Sequence, residues 1–250
     1  MKKQETLKKI LDNGLVPVFA PAYGLELMPS AEAIYKAGVR CFEITARTPN
    51  CLEGLKKVKD AFPHIAVGIA SLIDYPEYLK KVNNLRAPDL QIPSPEQAMH
   101  AGADFLVSGS TFRHETYQNL GDNLIIIPGT QNLEQMLQEM NKGANIIKFF
   151  PADILGGPSI IKKYQDPTHK SLPIAPSSGV NFNTAPEYLK VGCVALVMSM
   201  KQLADEETRK RIVETGDYTP LAEGVAKALR FVREHRQPYE NRIFNVDLSH

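Results

Sequence analysis

The sequence predicts an α/β fold: a (β/α)8 TIM barrel with a parallel sheet and an extra N-terminal helix, in one domain over residues 1–250. Three observations carry this expectation. Short apolar runs alternate with longer amphipathic segments, the pattern of strands joined by helical crossovers. The runs are apolar along their whole length, as strands covered on both faces must be. The chain has 250 residues, 43% of them hydrophobic, and such a barrel typically takes about 250.

The opening segment, Lys2 to Leu11, reads as a helix preceding the first strand and closing the bottom of a barrel. The strand candidates are 15–20, 41–45, 65–70, 105–108, 124–127, 146–150, 172–175 and 194–198. Between them, Leu133, Met136, Leu137 and Met140 share one helical face, and Leu221, Val225, Leu229 and Val232 do so near the C-terminus. Thr219 is suited to cap that last helix, with Pro220 at its first position. The stretch Asp74–Met99 is longer than its counterparts and carries Pro76, Pro88, Pro93 and Pro95. It predicts a helix plus an irregular insertion. Residues 238–250 read as a peripheral tail.

Composition excludes several classes. With 29 basic and 28 acidic residues the net charge is +1, and nothing calls for nucleic acid or an anionic membrane. The charged opening Met1-Lys2-Lys3-Gln4-Glu5 lacks the apolar core of a secretory signal, and no apolar run reaches bilayer length. Three cysteines, Cys41, Cys51 and Cys193, show no paired motif, so thiols in a reducing cytoplasm are expected. The six histidines are dispersed without H-x-x-x-H or H-x-H spacing, and no metal site is expected. No Gly-x-Gly-x-x-Gly follows the first strand and no Gly-x-Ser-x-Gly elbow exists, which removes support for dinucleotide binding and for a serine hydrolase.

Catalytic groups of parallel barrels gather at the C-terminal strand ends. There Lys148 lies between Ile146-Ile147 and Phe149-Phe150. Desolvating an ammonium in an apolar strand favours the neutral amine that Schiff-base chemistry requires. In Phe42-Glu43-Ile44-Thr45-Ala46-Arg47, alternation puts Glu43, Thr45 and Arg47 on one face. Glu43 is then a proton-shuttling candidate, and Arg47 offers a forked donor for a carboxylate. A buried structural network of the same ions is the alternative reading. Ser71 and Thr130, at the ends of strands three and five, offer hydroxyls to a carboxylate or cap their strands. The loops after strands seven and eight, Ser177-Ser178-Gly179-Val180 and Ser199-Met200, are either ordinary turns or an anion site.

Together Phe42-Glu43-Ile44-Thr45-x-Arg47-Thr48 and Ile147-Lys148-Phe149-Phe150-Pro151-Ala152 resemble the 2-keto-3-deoxy-6-phosphogluconate (KDPG) and 4-hydroxy-2-oxoglutarate (KHG) aldolases. The likeness extends over Leu15-Val16-Pro17-Val18, Ile127-Pro128-Gly129, Gly156-Gly157-Pro158 and Gly216-Asp217-Tyr218. It implies a class I aldolase of (β/α)8 fold, commonly a trimer, without metal or organic cofactor. The reaction would split a 2-keto-3-deoxy sugar acid into pyruvate and an aldehyde. Lys148 would be the Schiff-base lysine, Glu43 the general acid/base and Arg47 the carboxylate ligand. Substrate contacts would come from Ser71, Thr130, Ser178, Gly179 and Ser199. Two departures stand out: Ser178 replaces a glycine of the family's phosphate loop, and Met200 replaces its phosphate-binding serine. They point to an unphosphorylated or differently sized 2-oxo acid. Rival readings are a sugar-phosphate isomerase or epimerase on the same barrel, and a non-catalytic barrel that binds a 2-oxo acid.

Overall fold

A computed structural model describes residues 1–236. The expected tail, 238–250, lies outside the described residues. Among those described, nine strands run in chain order: β1 (Leu15–Phe19), β2 (Cys41–Thr45), β3 (Ala66–Leu72), β4 (Phe105–Ser108), β5 (Ile125–Ile127), β6 (Gly129–Thr130), β7 (Ile147–Phe149), β8 (Ile174–Pro176) and β9 (Leu196–Ser199). The helices are α1 (Lys3–Asn13), α2 (Leu27–Lys36), α3 (Cys51–Ala61), α4 (Pro76–Asn83), α5 (Pro95–His100) and α6 (His114–Leu120), then α7 (Leu133–Lys142), α8 (Gly157–Gln165), α9 (Ala185–Lys190), α10 (Met200–Leu203), α11 (Glu206–Thr215) and α12 (Thr219–His235).

All strand pairs are parallel, in a six-stranded sheet ordered β5-β4-β3-β2-β1-β9 and a three-stranded sheet ordered β6-β7-β8. Only Pro128, which has no N–H to donate, separates β5 from β6. At the other junction the Val194 N–H donates to the Ile174 carbonyl at 2.9 Å. The larger sheet curls, because side chains of β2 and β7, in different sheets, meet across the interior.

Alternation along these strands makes two cores. The inner one holds Val16, Cys41, Phe105, Val107, Ile125 and Val194, plugged from below by Leu7 and Ile10 of α1. The opening helix expected from the sequence is thus present. Gly68 makes room here: a Cβ on it would lie 2.2 Å from the Phe105 ring. The outer core packs the alternate residues, such as Phe42, Ile44, Ile147 and Phe149, against the helices.

The long connection after β3 is α4, a 3-10 turn at Pro88–Leu90 and α5, a helix with an irregular insertion as expected. α5 starts with a capping box between Ser94 and Gln97. Two expectations need correcting. Thr219 does not cap α12 but is its first residue; its N–H is held by the Asp217 carboxylate at 2.9 Å, which takes over the capping task. Leu137 is exposed, because the buried face of α7 centres on Met136 and Glu139. All three cysteines are buried thiols. Among the described residues no helix is long and apolar enough to cross a membrane.

Candidate active site

A cavity of about 550 Å³ opens at the C-terminal ends of the strands, where connecting loops free polar side chains from the ladder. Its floor is made by β2 and β7. Lys148 is the middle residue of β7; its neighbours Ile147 and Phe149 point into the helix-side core, so pleat geometry turns Lys148 inward. The same alternation turns Glu43 inward between Phe42 and Ile44. The Lys148 Nζ lies 4.0 Å from Glu43 Oε2, and 5.5 Å from the centre of the Phe150 ring. Glu43 is 1% exposed and Lys148 8%.

Glu43 Oε2 has no hydrogen-bond partner among the described residues. Burial pushes its carboxyl above the ordinary 4.5, and the nearby cations Lys148 and Arg47 pull it partly back. A carboxyl raised in this way keeps its proton more readily than an exposed one and can donate and take it back. The amine beside it is the nucleophile such a carboxyl would serve.

Arg47 follows the end of β2 and donates to Ser71 Oγ at 2.6 Å. Ser71 sits at an irregularity in the β3–β4 register with a left-handed backbone, φ 63°. That bulge breaks the alternation and swings the hydroxyl toward Arg47. The far wall comes from the loops after β8 and β9. Ser178 and Gly179 are both left-handed, at φ 77° and 68°, and Ser199 Oγ donates to the Gln202 side chain.

The structure therefore brings Lys148, Glu43, Arg47, Ser71, Ser178, Gly179 and Ser199 to one cavity. It does not bring Thr130 there. Thr130 is fully buried in β6, and its hydroxyl faces the Lys148 carbonyl at 3.4 Å; the chain continues as a strand past Pro128 instead of turning out at the rim. Met200 is also fully buried, at the start of α10, and the residues of that turn which line the cavity are Lys201 and Gln202. Sequence reasoning missed both of these, and Asp153. No periodicity signals them, since loop residues take their direction from turn geometry. Among the described residues no three His, Cys, Asp or Glu side chains gather as they would around a metal ion.

Comparison with known proteins gives a consistent result. The family model described as KDPG and KHG aldolase matches residues 89–219. The 2-dehydro-3-deoxy-phosphogluconate aldolase of Pseudomonas aeruginosa is 24% identical over 223 residues, 89% of this chain and 91% of that one. The KHG/KDPG aldolase of Escherichia coli is 24% identical over 92% of this chain and 98% of its own. Among solved structures, the KDPG aldolase of Legionella pneumophila, with pyruvate captured as a covalent carbinolamine, superposes with TM-score 0.67 at 19% identity, covering 88% of this chain and 96% of that one. The Zymomonas mobilis 2-keto-3-deoxy-6-phosphogluconate aldolase with 3-phosphoglycerate gives 0.66 at 20% identity, covering 93% and 97%.

A parallel α/β fold with these relatives defines an aldolase, an enzyme of the lyase class. The chain belongs to the KDPG and KHG aldolase family.

Proposed function

We propose that the chain is a class I aldolase that cleaves a 2-keto-3-deoxy sugar acid reversibly to pyruvate and an aldehyde, through a Schiff base on Lys148. The observation that carries this reading is the buried pair of Lys148 and Glu43, 4.0 Å apart, with that carboxylate oxygen making no hydrogen bond among the described residues. The pyruvate carbinolamine in the Legionella pneumophila relative supports it.

In this mechanism the Lys148 amine attacks C2 of the substrate, and its proton passes to the C2 oxygen as the carbinolamine forms. Glu43 donates a proton to the departing hydroxyl, water leaves, and an iminium ion remains. Glu43 then accepts the proton of the C4 hydroxyl while the C3–C4 bond breaks, and the bonding electrons flow into the iminium. The aldehyde departs and leaves an enamine. Protonation at C3 and hydrolysis release pyruvate and restore the amine. Arg47 and Ser71 hold the carboxylate, while Ser178, Gly179 and Ser199 face the aldehyde half.

The decisive experiment is incubation with pyruvate, reduction by borohydride and mass mapping. One reduced pyruvate on the peptide containing Lys148 is expected. No adduct over a wide pyruvate range overturns the reading.

The same proposal takes the two sheets as one closed (β/α)8 barrel in a single domain, for which the continuity of β5 with β6 and the Val194–Ile174 bond are the support. It takes the enzyme as a cytoplasmic homotrimer; light scattering of the purified chain tests the stoichiometry.

A further inference from the structure

Between the acid/base candidate and the carboxylate anchor lies a residue to which the mechanism above assigns no task. Thr45 closes β2, lines the cavity and is 1% exposed. Its Oγ1 has no hydrogen-bond partner among the described residues. A buried hydroxyl normally finds a partner, since leaving one unsatisfied costs about 1–3 kcal/mol. A strand can satisfy such a group through a neighbouring carbonyl, yet this one makes no such bond, and its residue lines the cavity wall.

Its position decides what it meets. Along β2, Glu43 and Thr45 point to the same side, successive rungs about 6–7 Å apart. Glu43 reaches Lys148 from the lower rung. Beyond Thr45 the guanidinium of Arg47 is held at the rim by Ser71. A 2-oxo acid joined to Lys148 through C2 carries its carboxylate one bond away. If Arg47 draws that carboxylate toward the rim, it passes along the wall at Thr45.

We infer that Thr45 is a substrate-binding residue: its hydroxyl donates to the oxygen of the substrate carboxylate that Arg47 leaves free. The inference rests on the proposed Schiff base at Lys148. It explains why a polar residue occupies this buried rung of the cavity wall where valine, of nearly the same shape, would pack without an orphaned oxygen. Threonine keeps the β-branched shape that suits a strand and adds one donor.

The test uses borohydride trapping with two carbonyl compounds. Pyruvate forms the imine with a carboxylate attached; acetone forms one without it. For Thr45→Val, the pyruvate concentration giving half-maximal trapping rises about 10-fold or more, the loss of one hydrogen bond to a charged group. Trapping of acetone stays unchanged. Thr45→Ser restores the pyruvate value to within about 2-fold, and Thr45→Ala repeats the loss should the valine variant fold poorly. Equal losses with pyruvate and acetone assign Thr45 a purely structural part and overturn the inference, as does unchanged pyruvate trapping in the valine and alanine variants. Absence of any pyruvate adduct in the unmodified enzyme defeats the Schiff-base reading itself, so the two failures are distinguishable.

Discussion

Glu43 and Lys148 approach to 4.0 Å at the floor of the cavity, an ion pair at the limit of contact between two side chains almost withdrawn from water. The oxygen that faces Lys148, Oε2, makes no hydrogen bond among the described residues. A purely structural bridge would satisfy both oxygens, because an uncompensated buried carboxylate is costly. The open oxygen is instead suited to a group that exchanges protons with a substrate.

The first prediction concerns this carboxyl and pH. Burial raises Glu43 above 4.5, more than Lys148 and Arg47 lower it. The folded state then binds a proton that the unfolded state has lost. Its contribution to stability is fully present below the unfolded value of 4.5 and declines as pH rises through the raised folded value. Glu43→Gln removes that dependence, so the melting temperature of the variant should fall less across this window than that of the parent. Activity should respond more strongly, with kcat lower by about 10²- to 10⁴-fold. The limb of the pH–rate profile assigned to this group should vanish. A variant with full activity and an unchanged profile removes Glu43 from proton transfer.

The second prediction concerns the rim. The Arg47 guanidinium is steadied by Ser71 Oγ at 2.6 Å. Arg47→Lys keeps the charge and loses the planar fork, so pyruvate trapping should require about 10-fold or more extra ligand. Ser71→Ala should raise KM by a smaller factor, roughly 2- to 10-fold, because it frees the guanidinium without deleting it. Steady-state kinetics of both variants checks the order. Ser71→Ala weaker than Arg47→Lys in substrate binding would show that the serine is itself the main carboxylate ligand.

Much of this arrangement is legible in the amino-acid sequence. The eight apolar runs are found as strands within a few residues, because burial on both faces leaves a signal that does not depend on tertiary detail. Glu43 and Lys148 stand out for the same reason: an ionisable group in an apolar strand contradicts its surroundings. Thr130 misled because the apolar run ends at Ile127 and so places Thr130 at a strand end, whereas Pro128 only interrupts a strand that resumes at once. Lys201 and Gln202 were hidden behind Met200. A short helix that starts at Met200 turns that side chain into the core and the next two toward the cavity, a direction set by where the helix starts and not by composition.

The third prediction tests the loop after β8. Gly179 has φ 68°, and a Cβ on it would stand 2.3 Å from the Asp153 Cβ. Gly179→Ala combines left-handed strain of about 1–2 kcal/mol with overpacking of about 1–3 kcal/mol. Denaturant unfolding should therefore show a loss of roughly 2–5 kcal/mol. Adding Asp153→Gly, which removes the clashing Cβ, should recover most of the steric part and leave the strain at position 179, a coupling readable in a double-mutant cycle. Strict additivity would mean that the loop moves away from Asp153 at no cost.

The fourth prediction addresses the aldehyde half of the substrate. Ser178 also holds a left-handed backbone, φ 77°, a conformation that glycine adopts freely. Beside it Ser199 is engaged by Gln202, and Met200 is turned away from the cavity. Of the two loops only the one after β8 therefore presents a glycine, Gly179, to the cavity. The enzyme should prefer an unphosphorylated 2-keto-3-deoxy acid to 2-dehydro-3-deoxy-phosphogluconate in kcat/KM. Ser178→Gly should relieve the strain, with a stability change of about 0–1 kcal/mol in its favour after the entropy of glycine is subtracted. It should also raise kcat/KM for the phosphorylated acid relative to the other. The ratio in each enzyme decides the matter. A strong preference for the phosphorylated acid in the parent, unaltered by Ser178→Gly, would place the recognition of phosphate on Lys201, the cation that this turn presents to the cavity, in place of the glycine amides.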